Sequence, residues 1–116
     1  AGAFNPLYLL RDNEILQTKA NKFPIGSFMK GRTEEFTNHK IQLVEGDQIF
    51  IFSDGYADQF GGPRGKKMMY RRFRELLVET SILPVEEQKN QLNSALKNWM
   101  KEEEQVDDIL VIGVRV

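Results

Sequence analysis

The sequence contains no cysteine and only one histidine, His39. The missing cysteines exclude disulfide bonds and thiolate zinc sites. A single histidine excludes a metal site or a proton relay that needs several histidines. No apolar run approaches the roughly 20 residues that span a bilayer, so we expect no direct membrane contact in this segment. The formal net charge of −1 gives no argument for a nucleic-acid partner.

The composition is that of one globular domain. Hydrophobic residues make up 41% of the 116 positions and charged residues 28%. This length suits a single domain better than two. The sequence opens with Ala-Gly-Ala-Phe and no methionine, which leads us to expect a piece of a longer protein.

The most informative stretch is 46–55, which reads Gly-Asp-Gln-Ile-Phe-Ile-Phe-Ser-Asp-Gly. Its four consecutive apolar residues predict a strand that is buried on both faces. Asp54 follows this strand, where a rigid element would hold its carboxylate, and Gly55 would allow a sharp turn close to a ligand. Ser, Asp and Gly also favour ordinary turns, so the tripeptide by itself leaves a plain turn open.

Four further strands are predicted from the rest of the sequence. Two of them form a hairpin around Asp12-Asn13, and a third pairs with the central strand. A final strand, nearly all apolar, should be buried. These strands are predicted at 6–11, 14–19, 33–43 and 109–116.

Two amphipathic helices are predicted in the second half of the chain. The first covers 68–79, with its apolar residues on one face, and the second begins at Pro84 and carries its apolar stripe to Met100. Loops are predicted at 21–31, where Phe23, Ile25 and Phe28 would pack onto the core, and at 55–67, which is rich in glycine. Trp99 is expected in the core, and His39 on the surface.

Acidic residues stand at one end of each of two predicted strands. Asp54 follows the central strand, whereas Asp107 and Asp108 precede the last one. If these strands are antiparallel neighbours in one sheet, the acidic ends share an edge. Clustered carboxylates repel one another, and Mg²⁺ or Mn²⁺ would relieve that repulsion. The alternative is that Asp107 and Asp108 merely begin a strand beside the solvated acidic run at 102–104.

Three segments, in this order, resemble motifs of the metal-dependent Ser/Thr protein phosphatases (PPM), in particular the bacterial branch named after stage II sporulation protein E. Residues 1–8 resemble its small-residue Ala-Gly-x-x-Pro segment. Residues 46–55 resemble its Gly-Asp-strand-Ser-Asp-Gly motif, and 107–109 resemble the Asp-Asp that opens its last core strand. The resemblance covers essentially the whole chain.

The resemblance implies an α+β fold, part of an αββα sandwich of antiparallel sheets with two helices packed on the outside. It also implies two Mn²⁺ or Mg²⁺ ions and a metal-activated water that attacks phosphoserine or phosphothreonine. Asp54 and Asp107 would be metal ligands, and Asp58 would help to bind a weaker third ion. Gly55 and Asp108 would contact these ligands and orient them without binding the ions themselves.

One departure from the family pattern bears on activity. The family's other ligands lie in an earlier motif of Asp, Gly, His and Gly, and the 116 residues contain no such motif. We therefore expect residues 1–116 to be a single domain, the C-terminal portion of a phosphatase domain that lacks its N-terminal metal-binding half. Half of a two-metal site binds ions weakly, so the fragment alone should be inactive and the full-length protein active.

Basic residues cluster after the acidic segment. They are predicted to attract a phosphoprotein substrate, although the solvated face of a helix would give the same pattern. The cluster consists of Arg64, Lys66 and Lys67, named as substrate-binding candidates, and of Arg71, Arg72 and Arg74. The expected setting is a cytoplasmic signalling phosphatase of bacteria.

Two other functions stay open at this point. The chain could be an interaction module that forms a homodimer through exposed sheet edges. It could also belong to a catalytically inactive member of the family that only binds phosphoproteins.

Overall fold

An antiparallel sheet of four strands lies at the centre of the computed structural model, which describes residues 5–19 and 38–116. The strand order is β2-β1-β3-β6, and a separate two-stranded hairpin is formed by β4 and β5. Three helices complete the described part. The elements are β1 (Leu7–Arg11), β2 (Glu14–Thr18), β3 (Gln48–Phe52), α1 (Gly55–Asp58), β4 (Phe60–Gly61), β5 (Lys66–Lys67), α2 (Tyr70–Thr80), α3 (Val85–Met100) and β6 (Val111–Arg115).

The hairpin of β1 and β2 turns at Asp12 and Asn13, as the sequence predicts. Both residues have positive φ, 51° and 63°. Asp and Asn tolerate this left-handed conformation better than most residues, and two such residues in a row give the turn that matches the twist of a hairpin. The register that results places Leu9 opposite Leu16.

The hydrophobic core lies between one face of the sheet and the two long helices. Tyr8 and Phe52 of the sheet pack against Phe73 of α2. The ring centres of Tyr8 and Phe52 are 4.6 Å apart, and those of Phe52 and Phe73 are 5.1 Å apart. Phe73 and Leu77 are fully buried, four residues apart on one face of α2. This spacing confirms the predicted helix, which runs from Tyr70 to Thr80.

The prediction that β3 is buried on both faces is wrong. Phe50 and Phe52 point to the helices and are buried, but Ile51 is 48% exposed. Side chains alternate along a strand, so Ile51 faces the opposite side of the sheet from α2 and α3. Its partner in β6, Ile112, is 42% exposed, and Val114 is 54% exposed. The last strand is therefore not a buried strand either.

The prediction of a strand at 33–43 that pairs with the central strand is not met by the described residues. Residues 38–43 form no strand, and β3 has β1 on one side and β6 on the other. Both edges of β3 are thus already paired. Residues 33–37, and Phe23, Ile25 and Phe28, lie outside the described residues.

The segment 55–67, predicted as a loop, contains α1 and the β4–β5 hairpin. The hairpin packs on the end of α3, because Gly62 N donates to the carbonyl oxygen of Trp99 at 2.9 Å. The second long helix begins after Pro84, as predicted, with Glu86 and Glu87 in its first turn, where the helix dipole favours acidic side chains. Among the described helices, none combines the length and the hydropathy that a membrane span requires.

Candidate active site

The end of β3 and the beginning of β6 are held together by Ser53. Its hydroxyl donates to the carbonyl oxygen of Asp108 at 2.7 Å and accepts from the amide of Leu110 at 2.9 Å. The amide of Ser53 donates to the carbonyl oxygen of Leu110, also at 2.9 Å. Because the two strands are antiparallel, the residues that follow β3 and those that precede β6 occupy one rim of the sheet.

Gly55 is required at this rim for a steric reason. A Cβ atom at this position would lie 2.2 Å from the carbonyl oxygen of Asp108 and 2.7 Å from its carbonyl carbon. Backbone atoms cannot rotate away as the end of a side chain can, so only glycine fits here. The contact places Asp54, one residue earlier, beside the segment that carries Asp107 and Asp108.

Asp54 stands at the N-cap position of α1, and its carboxylate accepts a hydrogen bond from the Tyr70 hydroxyl at 2.5 Å. Its carbonyl oxygen accepts from the amide of Asp58 at 2.9 Å. Burial, and then the hydrogen bond to Asp54, raise the pKa of Tyr70 above its ordinary value, so the phenol keeps its proton. The sequence gives no local sign of this contact, because the two residues are 16 positions apart.

Asp107 and Asp108 are exposed at the same rim. Asp107 Oδ1 accepts from the amide of Asp108 at 2.7 Å, and Gln105 donates to the carbonyl oxygen of Asp107 at 2.9 Å. These two contacts fix the backbone just before β6. The second carboxylate oxygen of Asp107 accepts no hydrogen bond from the described residues.

The donor chemistry of this rim fits a divalent cation, but the donor set is small. Asp54 and Asp107 each have a carboxylate oxygen that accepts no hydrogen bond from the described residues. Mg²⁺ and Mn²⁺ take carboxylate oxygens as ligands. Within 5–19 and 38–116, no three Asp, Glu, His or Cys side chains come together as a metal-binding group. The remaining coordination positions of an ion would have to be filled by other ligands.

Asp58, predicted as a weaker ligand, has a basic neighbour. Lys67 Nζ lies 3.8 Å from Asp58 Oδ1 and 5.8 Å from the centre of the Phe60 ring. An ammonium group here neutralises part of the charge that an ion would use. Lys67, one of the substrate-binding candidates, is therefore an exposed residue that pairs with Asp58 at the surface.

An open depression of about 510 Å³ lies beside Asp54. The predicted ligands Asp54 and Asp58 line it. The predicted ligand Asp107 and the substrate-binding candidates Arg64 and Lys66 do not. Arg64 and Lys66 are exposed in the β4–β5 hairpin. The lining residues are Asn5, Pro6, Tyr8, Gln17, Asp54, Asp58, Tyr70 and Arg74. The sequence shows no sign of a role for Tyr70, and it predicts Arg74 only as one member of the basic cluster, because only the fold shows which face of α2 borders the depression.

The fold is similar to those of several solved phosphatase domains. The SiaA-PP2C domain of Pseudomonas aeruginosa is 28% identical to this chain, with a TM-score of 0.84. The comparison covers 98% of this chain and 44% of that one. A second similar structure is the PP2C phosphatase domain of SpoIIE from Bacillus subtilis, solved with a fragment of its regulatory domain. It is 20% identical to this chain, with a TM-score of 0.69, and the match covers 98% of this chain and 32% of that one.

A third similar structure is the SpoIIE phosphatase domain of Bacillus subtilis in an Mn-presoaked form. It is 18% identical, and the match covers 99% of this chain and 48% of that one with a TM-score of 0.56. This chain therefore spans less than half the length of each of the three structures. No curated protein matches the sequence.

The fold of this chain is that of part of a PP2C phosphatase domain, which confirms the predicted α+β class with an antiparallel sheet and helices. The family comparison gives the same answer from the sequence. The model of the family Stage II sporulation protein E (SpoIIE) matches residues 1–116, and the chain belongs to that family. The resemblance seen in the three sequence motifs is thus confirmed.

Proposed function

We propose that the full-length protein is a metal-dependent phosphoserine/phosphothreonine protein phosphatase and that this chain supplies one side of its metal site. The observation that supports this most directly is the shared rim of β3 and β6, where Gly55 packs on the Asp108 carbonyl and Ser53 bridges the two strands. A carboxylate on a rigid strand end is a well-placed ligand. The setting we propose is bacterial cytoplasmic signalling, with a phosphoprotein as substrate.

In this proposal, Asp54 and Asp107 would hold divalent ions, Mn²⁺ or Mg²⁺. When bound, such ions lower the pKa of a coordinated water and neutralise charge on the phosphoryl oxygens. The chain's own residues orient the ligands. Tyr70 holds one oxygen of Asp54, and the amide of Asp108 holds one oxygen of Asp107. Asp58 and Lys67 form a charge pair at the border of the depression.

We further propose that these 116 residues are inactive alone. A two-metal site needs several carboxylates to offset the dehydration of its ions. In the described ranges, 5–19 and 38–116, no group of three potential ligands is assembled. The missing ligands would come from the preceding half of the domain in the full-length protein.

The experiment is an assay of phosphoserine-peptide hydrolysis with Mn²⁺, on the full-length protein and on the 116-residue chain. We expect turnover by the full-length protein, loss of that turnover with EDTA, and none by the chain alone. Asp54→Asn and Asp107→Asn should each lower kcat/KM by at least about 100-fold. Glu102→Gln, an exposed acidic residue after α3, is the control and should act like the wild type.

The outcomes separate the parts of this proposal. Turnover by the 116-residue chain would refute the claim that it is only half of a site. Full activity of Asp54→Asn would refute the assigned ligand. A full-length protein that binds phosphopeptides without hydrolysing them would instead be an inactive family member.

A second candidate function is self-association, and one observation favours it. The face of the sheet opposite the helices exposes Ile51, Ile112 and Val114. Among the described strands, β6 is also an edge strand, whose unpaired backbone groups could bind another strand. Size-exclusion chromatography with light scattering on the chain tests this candidate: a homodimer would support it, and a monomer at all concentrations would exclude it.

A further inference from the structure

Arg74 lies on α2, one turn after Tyr70, and both residues line the depression that contains Asp54 and Asp58. Residues four apart share one face of a helix. The same face of α2 therefore supplies a hydroxyl that is bonded to Asp54 and an arginine that lines the same depression. Arg74 is partly buried, so its position is set by packing as well as by charge.

The other basic side chains near the site already have partners. Lys67 lies 3.8 Å from Asp58, Arg71 lies 3.3 Å from Glu75, and the Arg72 guanidinium lies 5.6 Å from the centre of the Trp99 ring. By contrast, no described carboxylate lies within 4.0 Å of Arg74. Arg74 therefore lines the depression without an ion pair to Asp54 or Asp58, the two acids that share it.

We propose that Arg74 binds the phosphoryl group of the substrate, a phosphate monoester dianion. This inference deepens the proposed function and rests on it. Asp54 and Asp58 alone would repel a phosphate dianion from the depression. A guanidinium on its border attracts that dianion, and its planar fork of donors can bind two phosphoryl oxygens at once.

The geometry favours Arg74 over the three predicted substrate-binding candidates, Arg64, Lys66 and Lys67. Arg64 and Lys66 are close to Asp58 in sequence, but the β4–β5 hairpin leaves them exposed and outside the depression. Lys67 is engaged with Asp58. The packing of α2 on the sheet places Arg74 in the lining of the depression next to Asp54, and leaves Arg71 and Arg72 outside that lining.

The first test needs no variant and no turnover. The full-length protein is treated with phenylglyoxal, which modifies free guanidinium groups, with and without inorganic phosphate, and the modified arginines are mapped by mass spectrometry. At a phosphate concentration about ten times its Kd, we expect the modification of Arg74 to slow by about tenfold. Arg71, which is exposed and paired on the same helix, should react at an unchanged rate.

The second test measures kinetics in the full-length protein with a phosphoserine peptide. Arg74→Gln should lower kcat/KM by about 10- to 100-fold, mainly through KM, and should weaken inhibition by inorganic phosphate. Mn²⁺ affinity should stay unchanged, because Arg74 is not a ligand. Arg74→Lys should retain part of the binding, and Arg71→Gln is the matched control.

The results distinguish this proposal from the proposed function. If the wild type hydrolyses the peptide but phosphate does not protect Arg74, the Arg74 proposal is overturned and the phosphatase function stands. If phosphate protects Arg74 but no Mn²⁺-dependent hydrolysis occurs, the phosphate site is supported and the enzymatic function fails. Equal loss of activity in Arg74→Gln and Arg71→Gln would also overturn the proposal.

Discussion

The Tyr70 hydroxyl donates a hydrogen bond to Asp54 across 2.5 Å, although 16 residues separate the two in sequence. This bond joins the first turn of α2 to the end of β3. It also makes the position of the Asp54 carboxylate depend on how α2 packs against the sheet. The ring of Tyr70 lies 6.1 Å from that of Phe52, so its orientation is supported by the core.

Replacing Tyr70 with Phe should weaken metal binding. Tyr70→Phe keeps the ring beside Phe52 but removes the donor that orients Asp54. If Asp54 is a metal ligand, we expect Mn²⁺ affinity of the full-length protein to fall by about 10-fold, since groups that orient ligands have effects of this size. Free Mn²⁺ measured by electron paramagnetic resonance during a titration gives the affinity directly.

Tyr56 provides the matched control for that substitution. Its hydroxyl donates to the carbonyl oxygen of Leu92 at 2.6 Å, and burial raises its pKa to about 12. Tyr56→Phe should cost about 1 kcal/mol of stability, because it removes one buried hydrogen bond, and should not change Mn²⁺ affinity. Equal effects of the two substitutions on Mn²⁺ binding would show that Tyr70 acts only through folding.

Replacing Gly55 with alanine should damage the rim where β3 and β6 meet. The added Cβ would lie 2.2 Å from the carbonyl oxygen of Asp108, and the backbone on both sides is held by the Ser53 hydrogen bonds. We expect a loss of about 3 kcal/mol in the free energy of unfolding, measured by urea denaturation.

Gly65→Ala separates crowding from backbone strain. Gly65 has a φ of 60°, and the nearest atom to an added Cβ is 3.7 Å away, at the end of the Glu103 side chain. Only the left-handed conformation opposes this substitution, so it should cost about 1 kcal/mol. If Gly55→Ala is no worse than Gly65→Ala, the close contact with Asp108 is not a constraint on the fold.

Acid should remove the contribution of the pair formed by Arg11 and Asp47. The Asp47 carboxylate accepts from Arg11 at 2.9 and 2.6 Å and from the amide of Val44 at 2.9 Å. The hydrogen bonds from Arg11, and then that from Val44, lower the pKa of Asp47 from 3.8 to about 2. A carboxyl group with a lowered folded-state pKa stabilises the fold above its unfolded pKa and loses that effect as the pH falls through the folded one.

The stability difference between wild type and Asp47→Asn should therefore be full at about pH 6 and shrink between about pH 4 and about pH 2. Thermal unfolding followed by circular dichroism at several pH values measures it. Glu102→Gln should follow the wild type throughout. A constant difference between wild type and Asp47→Asn across this range would show that the ionised form of Asp47 is not what stabilises the fold.

Local patterns in the sequence predicted most of the elements, because each of these elements is long enough to show a period. The helical spacing of Phe73 and Leu77 predicts α2, and the apolar run before Asp54 predicts β3. The burial of β3 could not be predicted in the same way. A run of four apolar residues does not show which face another layer covers, and Ile51 is nearly half exposed.

The positions of the candidate site residues could be predicted only where these residues are close to a strand end. Asp54 and Asp107 follow from the ends of two antiparallel strands, whereas Tyr70 and Arg74 depend on how α2 packs. The elements α1, β4 and β5 have two to four residues, too few for any periodicity to appear. Their positions are set by tertiary contacts: β4 lies against Trp99, whereas α1 contacts the start of α2 and the segment at Asp108.

Trp99 gives a spectroscopic test of how the β4–β5 hairpin is held. Its carbonyl oxygen accepts from Gly62 N at 2.9 Å, and its indole donates to the carbonyl oxygen of Gln59 at 2.8 Å. A Cβ on Gly61 would lie 2.0 Å from the carbonyl oxygen of Trp99. Gly61→Ala should therefore push the hairpin away from the end of α3, and it should also move Lys67 away from Asp58.

Trp99 is the only tryptophan among the 116 residues, so the tryptophan fluorescence reports on the surroundings of this one side chain. We expect Gly61→Ala to shift its emission to longer wavelength and to increase its quenching by iodide, because the indole becomes more hydrated. The cost in stability should be about 2 kcal/mol. Gly65→Ala, in the turn of the same hairpin, should leave the emission unchanged. An unshifted spectrum for Gly61→Ala would mean that the hairpin is not held by its contact with Trp99.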